Sequence, residues 1–164
     1  MLNMAFTLIM LFVGLGLPDD GNFSAASESI SMRMHLGHDG GVIHRTTGGT
    51  VRFRLTIADP QIVGARYLIM GCYRGTSPGF SLPGGVNMPL NTDWVTDNIL
   101  YFTLTNQHFH NFVGRVPGCC AVDAVLNCPP LTCCDIDTVY FAACACFNGK
   151  WGASNAVSIS IVYK

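Results

Sequence analysis

Two histidines sit two residues apart in Gln107-His108-Phe109-His110. On a strand both rings would project from one face, the geometry of a two-histidine metal clamp. A third ligand would have to come from His35, His38 or His44. The only glutamate, Glu28, precedes the main body, so an aspartate would have to act as the base of a metal-dependent enzyme. Two ligands are too few for a site, and the simpler reading is a polar pair flanking an inward Phe109. No metal or other cofactor is expected.

Other chemistry-bearing patterns have similarly plain explanations. Gly75-Thr76-Ser77-Pro78-Gly79 matches the G-x-S-x-G outline of a hydrolase nucleophile elbow. Pro78 has no N–H for an oxyanion, and no helix pattern follows, so the segment reads as a turn. Asp135-Ile136-Asp137 offers two oxygens to calcium, without the further acids and glycine of a calcium loop. These aspartates read as solvated residues opening a strand. No phosphate-cradling loop is present; Asn148-Gly149-Lys150 is a hairpin turn. The chain therefore leans away from catalysis.

Binding has better candidates. Arg52 and Arg54 share one strand face, with Arg66 and Arg74 as further candidates for a cationic patch that takes an anionic polysaccharide. Such charges more often keep a sheet face soluble and discourage edge pairing. Trp94 and Trp151 offer rings to stack on sugars, or to pack internally. A net charge of -1 and a pI near 6.5 give no general attraction to nucleic acid or anionic lipid. The expected partners are a surface polysaccharide or another extracellular protein.

Eight cysteines, Cys72, Cys119, Cys120, Cys128, Cys133, Cys134, Cys144 and Cys146, are even in number and clustered late. In an oxidising compartment that reads as a disulfide framework. Cys119 and Cys120 point to opposite faces of a strand and need different partners, whereas Cys144 and Cys146 share a face. Zinc is the rival, weakened by the lack of any C-x-x-C pair; buried thiols are the third reading.

The compartment follows from the start of the chain. Residues 4–17 form an uncharged apolar run, too short to span a membrane but the length of a signal-peptide core. Ser24 and Ala26 place small side chains for a cut after Ala26, although no Lys or Arg precedes the run. The expectation is a signal peptide over 1–26 and one domain over 27–164, secreted or at the cell surface, with no transmembrane span in its mature form. A first buried strand, or a fragment of a longer chain, is the competing reading. Asn22-Phe23-Ser24 is a glycosylation sequon that lies before that cut.

The elements that must position these residues are strands. Of the 164 residues 49% are hydrophobic and 12% charged, with 18 glycines, which excludes disorder and coiled coils and disfavours helices. Thr50–Ala58 alternates with period two, as do Val157, Ile159 and Ile161 with the serines between them. Further strands are expected at 29–34, 42–46, 65–73, 99–104, 109–115, 121–126 and 139–146. Turns are expected at Asp39-Gly40, Gly48-Gly49, Asp59-Pro60, Asn148-Gly149 and Pro129-Pro130. Asn91–Asn98 suits one helical turn capped by Asn91 or Thr92. The fold class is all-β, an antiparallel β-sandwich of about eight or nine short strands, with a barrel as the alternative.

Residues 75–91, GTSPGFSLPGGVNMPLN, carry a further signal. With the strand before them, the Gly48-Gly49-Thr50 entry and the Ala153-Ser154-Asn155-Ala156-Val157 ending, they resemble a C-terminal β-rich domain. That domain recurs in predicted secreted proteins of planctomycete bacteria, and the likeness spans about residues 46–163. It implies a secreted or surface-held sandwich and brings no catalytic residues. The cysteines and histidines depart from its pattern. The expected function is a non-catalytic structural, adhesion or binding module. A carbohydrate-binding module, or a metal-dependent enzyme using His108 and His110, is the alternative.

Overall fold

Residues 32–58, 62–105, 108–131 and 135–163 are described by the computed structural model. The expected signal peptide, the Asn22 sequon, the Asp59-Pro60 turn, Cys133 and Cys134 lie outside these residues. The strands are β1 (Met34–His38), β2 (Ile43–His44), β3 (Gly49–Ile57), β4 (Arg66–Cys72), β5 (Phe80–Ser81) and β6 (Asn87–Met88). Helix α1 (Trp94–Thr105) follows, then β7 (Phe109–His110), β8 (Val113–Arg115) and β9 (Ala121–Cys128). The chain ends with β10 (Thr138–Phe147), β11 (Lys150–Ala153) and β12 (Val157–Val162).

Alternation in β3 turns Val51, Phe53, Leu55 and Ile57 inward and leaves Arg52, Arg54 and Thr56 exposed. β3 pairs antiparallel with β1 and β9, and β9 with β7, giving a sheet of order β1-β3-β9-β7. The second sheet has the order β2-β12-β10-β4-β8, with β11 also on β10. Its pairs are antiparallel except β2 with β12. The two sheets close over one apolar core, where Phe53 meets Phe112 at 5.5 Å and Phe141 at 4.9 Å between ring centroids. The fold is an antiparallel β-sandwich.

Both central strands of the second sheet are buried on two faces. Tyr67, Ile69, Phe141 and Ala143 line the shared core, while Leu68, Met70, Cys72, Ala142 and Cys144 are buried on the opposite side. The segment between β4 and α1 crosses this outer face: β6 approaches β10, and the Pro83–Gly85 turn approaches β11. It brings buried Leu82, Met88 and Leu90. The G-T-S-P-G and P-L-N residues thus belong to a strap over a sheet. Asn91 ties that strap, accepting the Gly79 N–H (3.0 Å) and donating to Arg74 O (3.1 Å) and Ser77 O (2.6 Å).

Several expected elements come out differently. Ile99–Leu104 is not a strand; it is the second half of α1, and the single helical turn expected before it is only the start of that helix. Buried Val95, Thr96, Ile99, Leu100 and Thr103 recur with helical spacing, which outweighs the β-leaning aromatic and branched residues. The cap is Asp93, not Asn91 or Thr92: Oδ1 accepts the N–H groups of Val95 (2.9 Å) and Thr96 (3.1 Å). The strand expected over 109–115 splits at Asn111, whose φ of 57° turns the chain from the first sheet into the second. Of the strand expected at 29–34, residues 29–31 lie outside the described residues, and β1 begins at Met34 and runs on to His38.

Candidate functional site

Helix α1 carries an aromatic outer surface. Trp94, Asn98, Tyr101 and Phe102 are all exposed, at helical positions i, i+4, i+7 and i+8, so they lie along one side. Trp94 is 51% exposed and Tyr101 60%, so much of each large side chain is at the surface. Trp94 and Tyr101 are separated by about 10 Å along the helix axis. Tyr73 extends the row at one end, 6.0 Å from Trp94, and the Arg74 guanidinium lies 5.9 Å from the Tyr73 ring. Tyr101 meets Phe102 at 5.6 Å, and Phe102 meets His108 at 6.5 Å, at the other end.

Asp93 fixes this surface to the sandwich. While Oδ1 caps α1, Oδ2 accepts the N–H groups of Tyr73 (2.9 Å) and Arg74 (3.0 Å) at the end of β4. One carboxylate therefore sets Tyr73 against Trp94. Reading the 99–104 segment as a strand hid Tyr101 and Phe102; the i, i+4, i+7, i+8 spacing from Trp94 is the signal that reveals them.

The arginine face is a different kind of surface. Arg52 and Arg54 stand on the outer side of β3, which is flanked by β1 and β9, so they guard no edge. Arg54 Nη1 lies 3.3 Å from Asp123 Oδ1. Asp39 continues the β1 register opposite Arg52, whose backbone N–H donates to Asp39 Oδ1 (3.3 Å). The face is polar, with Arg54 ion-paired. Arg66 opens β4 in the second sheet and Arg74 follows that strand's end, so neither joins this face.

Trp94 and Trp151 do not share a surface. Tyr73, beside Trp94, follows the Cys72 end of β4, whereas Trp151 is paired with Cys146, which faces Arg66 at the other end. The six-residue offset is about 20 Å. Trp151 is half-buried.

The histidines are dispersed. His35 and His38 lie on β1, His110 on β7 at the opposite edge of the same sheet, and His44 on β2 in the other sheet. Phe109 points inward between His108 and His110. Among the described residues no three His, Cys, Asp or Glu side chains cluster as metal ligands. Asp135 and Asp137 serve a protein cation. The buried Arg45 donates from Nη2 to Asp137 Oδ1 (3.1 Å) and Ile136 O (2.9 Å), with Nη1 3.6 Å from Asp135. Tyr163 lies over that guanidinium at 4.1 Å.

Cys72 and Cys144 are buried free thiols on the outer face of the second sheet. Burial pushes Cys72 up to about 11 and Cys144 up to about 12, which keeps both protonated and unreactive. Burial also raises Cys146, the half-buried free thiol two residues on. Cys119 is an exposed free thiol in the turn before β9, next to Cys120, while Cys128 ends that strand. Ser77 lies in the strap turn, where Asn91 takes its carbonyl.

No known family model and no curated protein matches the chain. Among solved structures it is similar to the N-terminal domain of the Streptococcus gordonii adhesin Sgo0707, with 13% identity and a TM-score of 0.44. The match covers 82% of this chain and 34% of that one, so the chain spans about a third of its neighbour's length. Among the described residues no helix is long and apolar enough to cross a membrane.

Proposed function

We propose that this chain is a non-catalytic module, secreted or held at the cell surface, in an adhesion or binding role, and that it grips a neutral surface polysaccharide along α1. The observation that carries this reading is the row of exposed rings on one side of the helix, Trp94, Tyr101 and Phe102, with Asn98 among them. Sugar rings present C–H faces that pack on electron-rich aromatic faces, and their hydroxyls need amide or carboxylate partners nearby. A net charge of -1 gives the chain no general pull on an acidic sugar, which favours a neutral one. The uncharged run at 4–17 and the small residues after it support export.

A glycan array followed by calorimetry tests the reading. Trp94→Ala and Tyr101→Ala are each expected to weaken binding about tenfold, the loss of roughly 1.4 kcal/mol of stacking. Trp151→Ala should leave affinity unchanged, and so should raising the salt concentration. Binding that survives the loss of Trp94 and Tyr101 together would refute the helix site.

A further inference from the structure

We infer that Asn155 plugs the open edge of the first sheet and so keeps strand β1 of a second copy from adding to it. Among the described residues β1 is the edge strand of that sheet, with β3 on one side only. Its hydrogen-bonding phase is fixed by the bonds flanking the ladder. Asp39 N–H donates to Arg52 O (3.1 Å), and Ala58 N–H to Arg33 O (3.0 Å). Bonded and non-bonded pairs alternate in an antiparallel ladder. His35 and Gly37 therefore bond to β3, and the N–H and C=O of Leu36 turn outward.

Those two outward groups are an invitation to another strand. The Asn155 carboxamide occupies both: Oδ1 accepts the Leu36 N–H at 2.9 Å, and Nδ2 donates to Leu36 O at 2.9 Å. A side-chain amide has the same donor and acceptor as a peptide group, so one residue imitates one rung of a neighbouring strand. The imitation is rigidly held. β11 and β12 follow one another along the same edge of β10, and Ser154 fills the break between them. Its N–H donates to Ala143 O (2.8 Å), while its Oγ accepts the Ala143 N–H (2.9 Å) and donates to Asn155 O (2.7 Å). The plug thus runs from the middle of one sheet to the edge of the other. It gives a physical task to Ser154-Asn155 in the closing sequence pattern.

A second copy is the partner this edge fits, because two β1 strands related by a twofold axis pair antiparallel with each other. The test uses the full chain, with hydrogen exchange at the Leu36 amide and mass by light scattering across a concentration series. The wild-type protein should protect Leu36 and stay monomeric through that edge. Asn155→Ala should speed exchange at Leu36 about tenfold in the monomer, the loss of a backbone rung, and should dimerise as concentration rises. Asn155→Asp keeps an acceptor for the N–H but sets an oxygen against Leu36 O, and should behave in the same way. A folded Asn155→Ala protein that stays monomeric overturns the inference. Where that variant does not fold, Asn155→Asp decides by the same criterion. An unprotected Leu36 amide in the wild-type protein overturns it without any variant.

Discussion

The two sheets of the sandwich share a core but differ on their outer faces. The first sheet turns threonines, arginines and an aspartate to solvent, and its central strand β3 alternates residue by residue. The second sheet is buried on both sides at its central strands β4 and β10, and β4 reads as an unbroken apolar run from Tyr67 to Cys72. The difference teaches that a continuous run in an antiparallel sandwich demands a cover, and here the cover is the strap between β4 and α1. That strap delivers the chain to Asp93, and Asp93 sets the aromatic row. The binding surface proposed on α1 is thus a product of covering the second sheet.

The largest effects should come from treating that outer face as a second core. Met70 and Leu90 are fully buried, one on β4 and one in the strap. Met70→Ala and Leu90→Ala are expected to cost about 2–5 kcal/mol each in urea unfolding, comparable to the loss of a sandwich-core side chain. If both cost well under 1 kcal/mol, the strap is a loose loop and the contrast between the sheets collapses.

How much of this was legible follows from which signals are local. The alternation of β3 and of Val157–Ile161 is local, and both strands stand where the pattern puts them. The unbroken apolar runs of β4 and β10 announce burial on two sides, but nothing in a Pro- and Gly-rich segment says that it will supply the cover. The α1 boundary turned on Asp93, whose second oxygen is committed to the distant end of β4. A partner twenty residues away leaves no periodic trace. Asn111 is similar: its positive φ divides one apparent strand between two sheets, held by its bond to Asp123 O (3.1 Å). For the binding surface, Trp94 was visible as a residue type, whereas Tyr101 and Phe102 required the helix first. The alternation of β3 puts Arg52 and Arg54 on one face, and only the fold supplies Asp123 opposite Arg54.

The outer faces should also answer differently to alkali in the reduced protein. Cys72 and Cys144 lie beneath the strap, and the first sheet's exposed face has no counterpart among the described residues. An ordinary thiol loses its proton near 9.0, but folding holds Cys144 protonated to about 12. Below 9 both folded and unfolded chains keep the proton, and the stabilisation is intact. Above 9 the unfolded chain ionises first, so stability falls progressively as pH rises towards 12. Denaturant midpoints should decline through that window, less steeply in Cys144→Ala than in wild type. Alkylation at neutral pH should label Cys119 and spare Cys72 and Cys144 until the chain unfolds. Rapid labelling of Cys144 in the native state would mean that the strap opens readily.

The smallest effect belongs to the wet face, and its smallness sharpens the contrast. Arg54 and Asp123 are 3.3 Å apart, with side chains 65% and 73% exposed. At that exposure water screens the pair, and ordering two flexible side chains offsets much of the attraction. A double-mutant cycle with Arg54→Ala and Asp123→Ala should return a coupling of about 0.5 kcal/mol or less, shrinking further as salt is added. Neither change opens a cavity, because neither side chain packs into the core, so each alone should stay within about 0.5 kcal/mol of wild type. A coupling several times larger would mean that this face is shielded from solvent in the native protein. The first sheet would then resemble the second, with a cover of its own.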